Sequence, residues 1–139
     1  MIEEVRFSYY FRDQLTGFYN INYLKFLLTQ KVNYKMICAY HLNIVNFTAY
    51  NKKYGWKKGD KFLQNIANEI STVYEDSIVI RVFGDNFLIL YLDEHVEMDV
   101  SIFDQLIQDD KMKIDFKHIN LSAEGIDSFD KLEDIILSS

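Results

Sequence analysis

Apolar positions along this chain recur in two periods, and the switches between them mark the elements. Leu24, Leu27 and Leu28 recur at helical spacing behind Asn20 and Asn22, either of which can cap a helix running to about Lys31. Met36 to Val45 is a nearly continuous apolar run, predicting a strand buried on both faces. Phe47 to Tyr54 suits a short helix stopped by Gly55, with Trp56-Lys57-Lys58-Gly59 as a loop. Asp60 then sits where an N-cap is expected, ahead of Phe62, Leu63, Ile66, Ala67, Ile70 and Val73 at helical spacing. Two runs, Ser77 to Ile80 and Leu88 to Leu92, meet at Gly84-Asp85-Asn86 and predict a hairpin over 78–92. Val100 to Asp109 reads as a helix with Ile102, Phe103, Leu106 and Ile107 inward. Met112 to Leu121 alternates as a strand, and Asp127 to Leu137 is a last helix. Met1 to Phe11 mixes charge with aromatics, as the end of an incoming helix would, and Arg12 to Asn20 is rich in turn formers.

The core order is βααββαβ. It predicts an α+β, ferredoxin-like fold: a mainly antiparallel sheet with helices packed on one face. At 139 residues, with no repeat or linker, residues 1–139 read as one domain.

Composition narrows the function classes. A formal charge of −6 argues against nucleic acid and against an anionic membrane surface as partners. No run approaches the roughly 20 apolar residues of a membrane span, and Glu3-Glu4 follow Met1-Ile2 at once, so a soluble, cytoplasmic chain is expected. One cysteine, Cys38, forms no internal disulfide and reads as core packing. His41, His95 and His118 show no ligand spacing and read as surface or half-buried polar residues. Lys52, Lys53, Lys57 and Lys58 read as a solvated face, with docking of an acidic partner as the alternative.

Three segments in order carry a resemblance. Asp13-Gln14-Leu15-Thr16-Gly17-Phe18-Tyr19-Asn20 resembles D-x-L-T-G-L-x-N. Asn43 to Asp60, NIVNFTAYNKKYGWKKGD, resembles D-I-D-x-F-K-x-x-N-D-x-x-G-H-x-x-G-D. RVFGDNF, Arg81 to Phe87, resembles R-x-G-G-D-E-F. Together they resemble the GGDEF domains of diguanylate cyclases over about residues 10 to 136. The resemblance implies a chemistry in which two GTP molecules, one on each subunit of a dimer, condense to cyclic di-GMP. Two Mg²⁺ ions bridge each triphosphate, held by the first Asp of D-I-D, the next backbone carbonyl and the Glu of G-G-D-E-F. Magnesium favours such hard, charged oxygens.

Carried over residue by residue, the pattern fails at the metals. The first metal Asp falls on Asn43 and the second carboxylate on Val45. The metal Glu falls on Asn86, the first signature glycine on Phe83, and the phosphate-side lysine on Thr48. Gly84 and Asp85 keep the middle of the signature, and Asp85 and Asn86 read as ordinary hairpin-turn residues. The late Lys and Arg have no match in 129–135, and the R-x-x-D inhibitory product site has none in Tyr74-Glu75-Asp76-Ser77. Asn51 and Asp60 fall on the two positions that hydrogen-bond guanine, and Trp56 replaces the family's His. The implied reading is a degenerate GGDEF domain with no catalytic residues and no resident metal. It would be a regulatory, dimerisation or protein-interaction module in bacterial cyclic di-GMP signalling, partnered by tethered domains or another protein. The alternative is a GTP-sensing module using Asn51 and Asp60, with Mg²⁺ only alongside GTP. A residual cyclase using unusual ligands is the third reading.

Overall fold

The apolar run that ends at Val45 forms a strand whose alternate residues enter two different cores. In a computed structural model, described for residues 2–29, 38–73, 77–91, 100–107, 111–121, 125–126 and 128–137, strand β1 spans Cys38–Val45. Leu42 and Ile44 point to one face and Ala39 to the other, all at most 1% exposed. Period-two geometry permits this only where both faces are covered, which is why the run lacks polar alternation.

Ahead of β1 lie helices α1 (Ile2–Phe11) and α2 (Ile21–Thr29). Asn20 caps α2: its Oδ1 accepts the Tyr23 N–H at 3.3 Å. Behind β1 come α3 (Phe47–Tyr54), α4 (Trp56–Val73), β2 (Ile78–Phe83) and β3 (Asn86–Tyr91). A 3-10 helix (Val100–Leu106), β4 (Lys113–Asn120) and α5 (Phe129–Leu137) complete the order. The sheet order is β2-β3-β1-β4, with every neighbouring pair antiparallel.

One core joins Leu42, Ile44, Phe87 and Ile89 to Phe47 and Tyr50 of α3, to Phe62, Leu63, Ile66 and Ile70 of α4, and to Phe103 of the 3-10 helix. The other joins Ala39, Ile80, Val82, Leu88 and Leu90 to Leu24 of α2 and to Leu132 and Ile136 of α5. Helices therefore cover both faces of the sheet, not one. The continuous apolar runs of β1 and β3 demand it, because a second face left open would expose Leu88, Leu90 and Ile80 to water.

The expected loop at 56–59 is instead the first turn of α4. Gly55 adopts φ 91°, closing α3 through its N–H to the Asn51 carbonyl at 2.8 Å. Its own carbonyl already accepts the Gly59 N–H, so a new helix starts with no residues between. Asp60 is thus the fifth residue of α4 and not its cap. The stretch expected as a helix to Asp109 is a shorter 3-10 turn. Expectations resting on Met36, Ile37, the Cys38 side chain, Tyr74 to Asp76, Leu92 and His95 lie outside the described residues.

Candidate functional site

The hairpin places its tip against the end of β1. Phe83 pairs with Asn86, so Gly84 and Asp85 form the turn and Asn86 opens β3. Asn86 stands opposite Asn43, and the Ile44 N–H donates to the Asp85 carbonyl at 3.0 Å. On the far side of β1, Asn43 is opposite Asp115 and His41 opposite Lys117. Register thus brings Asn43 and Asn86 side by side, with Asp85 next to them in the turn. Val45, Phe83 and Thr48 put uncharged side chains at the other three positions.

His41 joins this group, against the expectation of a surface or half-buried polar residue. It is 2% exposed, and its Nε2 lies 2.6 Å from Asn86 Oδ1. Asn86 Nδ2 donates to Asp85 Oδ1 at 2.7 Å. A carboxylate only accepts, so Asp85 fixes the amide's orientation, and the oxygen turned toward His41 makes Nε2 the protonated nitrogen. Burial pushes the His41 pKa below the ordinary 6.5. The Asn86 oxygen opposes that shift, Lys117 adds to it and Asp85 resists it. Sequence pattern carried one usable signal: His41 lies two residues before Asn43, hence on the same face of the strand. Beside the group is a cavity of about 210 Å³ lined by His41, Asn43, Asp115, Phe116 and Lys117.

These residues do not fit the Mg²⁺ that GGDEF domains use with GTP. Magnesium is held by carboxylates and other oxygens. Here Asn43 and Asn86 are uncharged. The Asn86 oxygen is engaged by His41, and its N–H occupies an oxygen of the nearest carboxylate. Among the described residues no three His, Cys, Asp or Glu stand together in a way that could hold a metal ion.

A second cluster ties the hairpin to the 13–18 turn. Asp13 Oδ2 accepts from the Thr16 N–H at 2.9 Å and the Thr16 hydroxyl at 2.7 Å. Arg81 bridges Asp13 at 3.1 Å and donates through Nε and Nη2 to the Gly84 carbonyl at 3.1 and 2.9 Å. Tyr19 then pairs with the outer edge of β2, through Tyr19 N–H to the Val79 carbonyl and Arg81 N–H to the Tyr19 carbonyl. One arginine therefore reads both motifs.

On α3 and α4, Asn51 Oδ1 is buried with no hydrogen-bond partner. It lies against Gly59, where any Cβ would overlap it, so glycine at 59 is what lets the amide sit there. Asp60, the next residue, is exposed. Trp56 neither packs over this corner nor covers it, being 76% exposed.

Comparison with known proteins gives the family and the fold. The family model for the GGDEF domain of diguanylate cyclases matches residues 10–124. The chain belongs to the GGDEF family. It is 31% identical over 106 residues to the diguanylate cyclase DgcP of Escherichia coli K12, covering 70% of this chain and 30% of DgcP. Among solved structures, a diguanylate cyclase/phosphodiesterase from Caldicellulosiruptor saccharolyticus superposes with a TM-score of 0.65. That match has 20% identity and covers 87% of this chain and 81% of the other. Diguanylate cyclase SiaD of Pseudomonas aeruginosa, solved with its activator SiaC, gives a TM-score of 0.64 at 17% identity, covering 99% of this chain and 62% of SiaD. These two likenesses concern the fold. The GGDEF chain also has, among its described residues, no helix long and apolar enough to cross a membrane.

Proposed function

We propose that this GGDEF domain makes no cyclic di-GMP and works as a regulatory or interaction module of a bacterial cyclic di-GMP signalling protein. The observation that carries this is the His41–Asn86–Asp85 chain. Where the family brings like-charged carboxylates together and needs a cation between them, this chain closes the same position with an amide bonded on both sides. That arrangement is satisfied without metal, and it leaves a triphosphate without the metal ions that would offset its charge. The reading places the domain in the cytoplasm, with residues 1–11 as the end of a helix from a preceding segment. A second copy or a tethered domain would be its partner.

Manganese titration tests the site directly. Amide resonances of residues 41, 43, 85 and 86 are expected to keep their line widths as Mn²⁺ is added. Selective broadening of these four would mean a cation site survives and would overturn the reading.

A second reading has its own support. Asn51 carries an orphaned buried oxygen, and Asp60, no longer a helix cap, lacks a structural reason to be acidic. Both suit recognition of a guanine edge. Under this reading the domain senses GTP without turning it over. Calorimetric titration with GTP and Mg²⁺, against ATP, separates the two. The module reading expects no saturable heat at millimolar ligand. GTP-selective heat that disappears in Asn51→Ala and Asp60→Ala would establish the sensor.

A further inference from the structure

We propose that the corner formed by α3 and the first turns of α4 docks a short acidic protein segment bearing one apolar side chain. This rests on reading the domain as an interaction module, and it names the chemistry of the partner.

Charge is segregated in this chain. Five of its fifteen Lys and Arg residues, Lys52, Lys53, Lys57, Lys58 and Lys61, fall within residues 52–61, and all five are exposed. Only Asp60 opposes them there. The rest of the chain carries twenty acidic residues against ten basic ones. A field this uneven steers an oppositely charged partner to one corner.

The lysines also stand where local stability disfavours them. Lys57 and Lys58 lie in the first turn of α4, which holds no acidic residue, so both face the positive end of the helix dipole. Helix stability alone would place acids there. Lys53 and Lys58 are held over the Tyr54 ring, at 5.1 and 5.4 Å from its centroid, which restrains both ammonium groups.

Apolar surface accompanies the charge. Trp56, an aromatic of the type that anchors interfaces, is 76% exposed amid the lysines. On the adjoining flank of α3 a groove of about 320 Å³ runs between Lys53 and Lys111, with Ala49, Tyr50 and Met112 lining it. Lys53 borders both patch and groove. An acidic segment can lay carboxylates along the lysines and seat one aliphatic or aromatic residue in the groove or on Trp56.

A long polyanion fits less well. A nucleic-acid strand or an anionic bilayer extends beyond this corner and meets a remainder of net charge −10. A short segment touches the corner alone.

Trp56 is the chain's only tryptophan, so its fluorescence reports docking without a label. The full chain is titrated with a synthetic Asp/Glu-rich peptide carrying one central Phe. A Lys-rich peptide of the same length and a single-stranded oligonucleotide serve as controls. Saturable fluorescence change with the acidic peptide alone is expected. Its affinity should fall about tenfold or more between about 50 and 500 mM salt, and it should be lost in Lys57→Glu/Lys58→Glu. Should that variant not fold, Lys57→Gln and the salt series on the unaltered chain decide. No response to the acidic peptide, an undiminished response in the variant, or tighter binding of the oligonucleotide would overturn the proposal. Cyclic di-GMP formed from GTP in a parallel assay would overturn the module reading instead, without altering the fluorescence result.

Discussion

Asn86 does with one amide what a carboxylate cannot do at that position. It accepts from His41 and donates to Asp85. A glutamate there would set a second negative charge beside Asp85, which a cation or a retained proton would have to offset. The buried imidazole makes this testable by pH. Its folded pKa is depressed by burial, so below 6.5 the unfolded chain takes up a proton that the folded chain refuses. Stability is therefore complete above the ordinary imidazole value. It declines as pH falls from there toward the depressed value, and this contribution is constant below it. Urea unfolding at about pH 7.5 and about pH 5 should show that loss in the unaltered chain and a smaller one in His41→Leu. Equal pH dependence in both proteins would show that His41 does not supply it. The same scale corrects Asp60: an exposed acid five residues into a helix is not explained by capping.

Among the elements, the hairpin and the 13–18 turn behave as one unit because Arg81 joins them. Its guanidinium spans Asp13 and the Gly84 carbonyl while both side chains of the ion pair are largely shielded, 17% and 20% exposed. Asp13→Ala would remove the ion pair and leave the Thr16 N–H and hydroxyl without their acceptor. The expected cost is about 1–3 kcal/mol, read as a lower urea midpoint at unchanged slope. A cost near zero would mean that the turn holds without its carboxylate. Element boundaries were legible where periodicity was strong. Continuous apolar runs gave β1 and the arms of the hairpin, alternation gave β4, and the 3.6-residue period gave the body of α4. The start of α4 was not legible, because Trp56-Lys57-Lys58 carries turn and surface chemistry, and only the positive φ of Gly55 lets a helix begin there. The contact of His41 with Asn86 was hidden for a different reason. It joins residues 45 positions apart, and cross-strand register is a tertiary quantity.

At the scale of the whole molecule, the ferredoxin-like sheet was readable from element order, but its second helical layer was not. Ala39, Leu88 and Leu90 face α2 and α5, and only the pairing of the strands shows which residues share that face. Family membership rests on the GGDEF family model over residues 10–124 and on the likeness to DgcP. At the hairpin tip the structure sets the His41–Asn86–Asp85 hydrogen-bond chain beside Asn43. The chain spans 30% of the length of DgcP. The most direct measurement is incubation of the purified chain with GTP and Mg²⁺, followed by mass-resolved detection of cyclic di-GMP. The account predicts no product above the enzyme-free control, at protein concentrations high enough to favour dimers. Metal-dependent formation of cyclic di-GMP that is lost in Asp85→Ala would contradict it, and would show that a single carboxylate with two amides sustains the cyclase reaction.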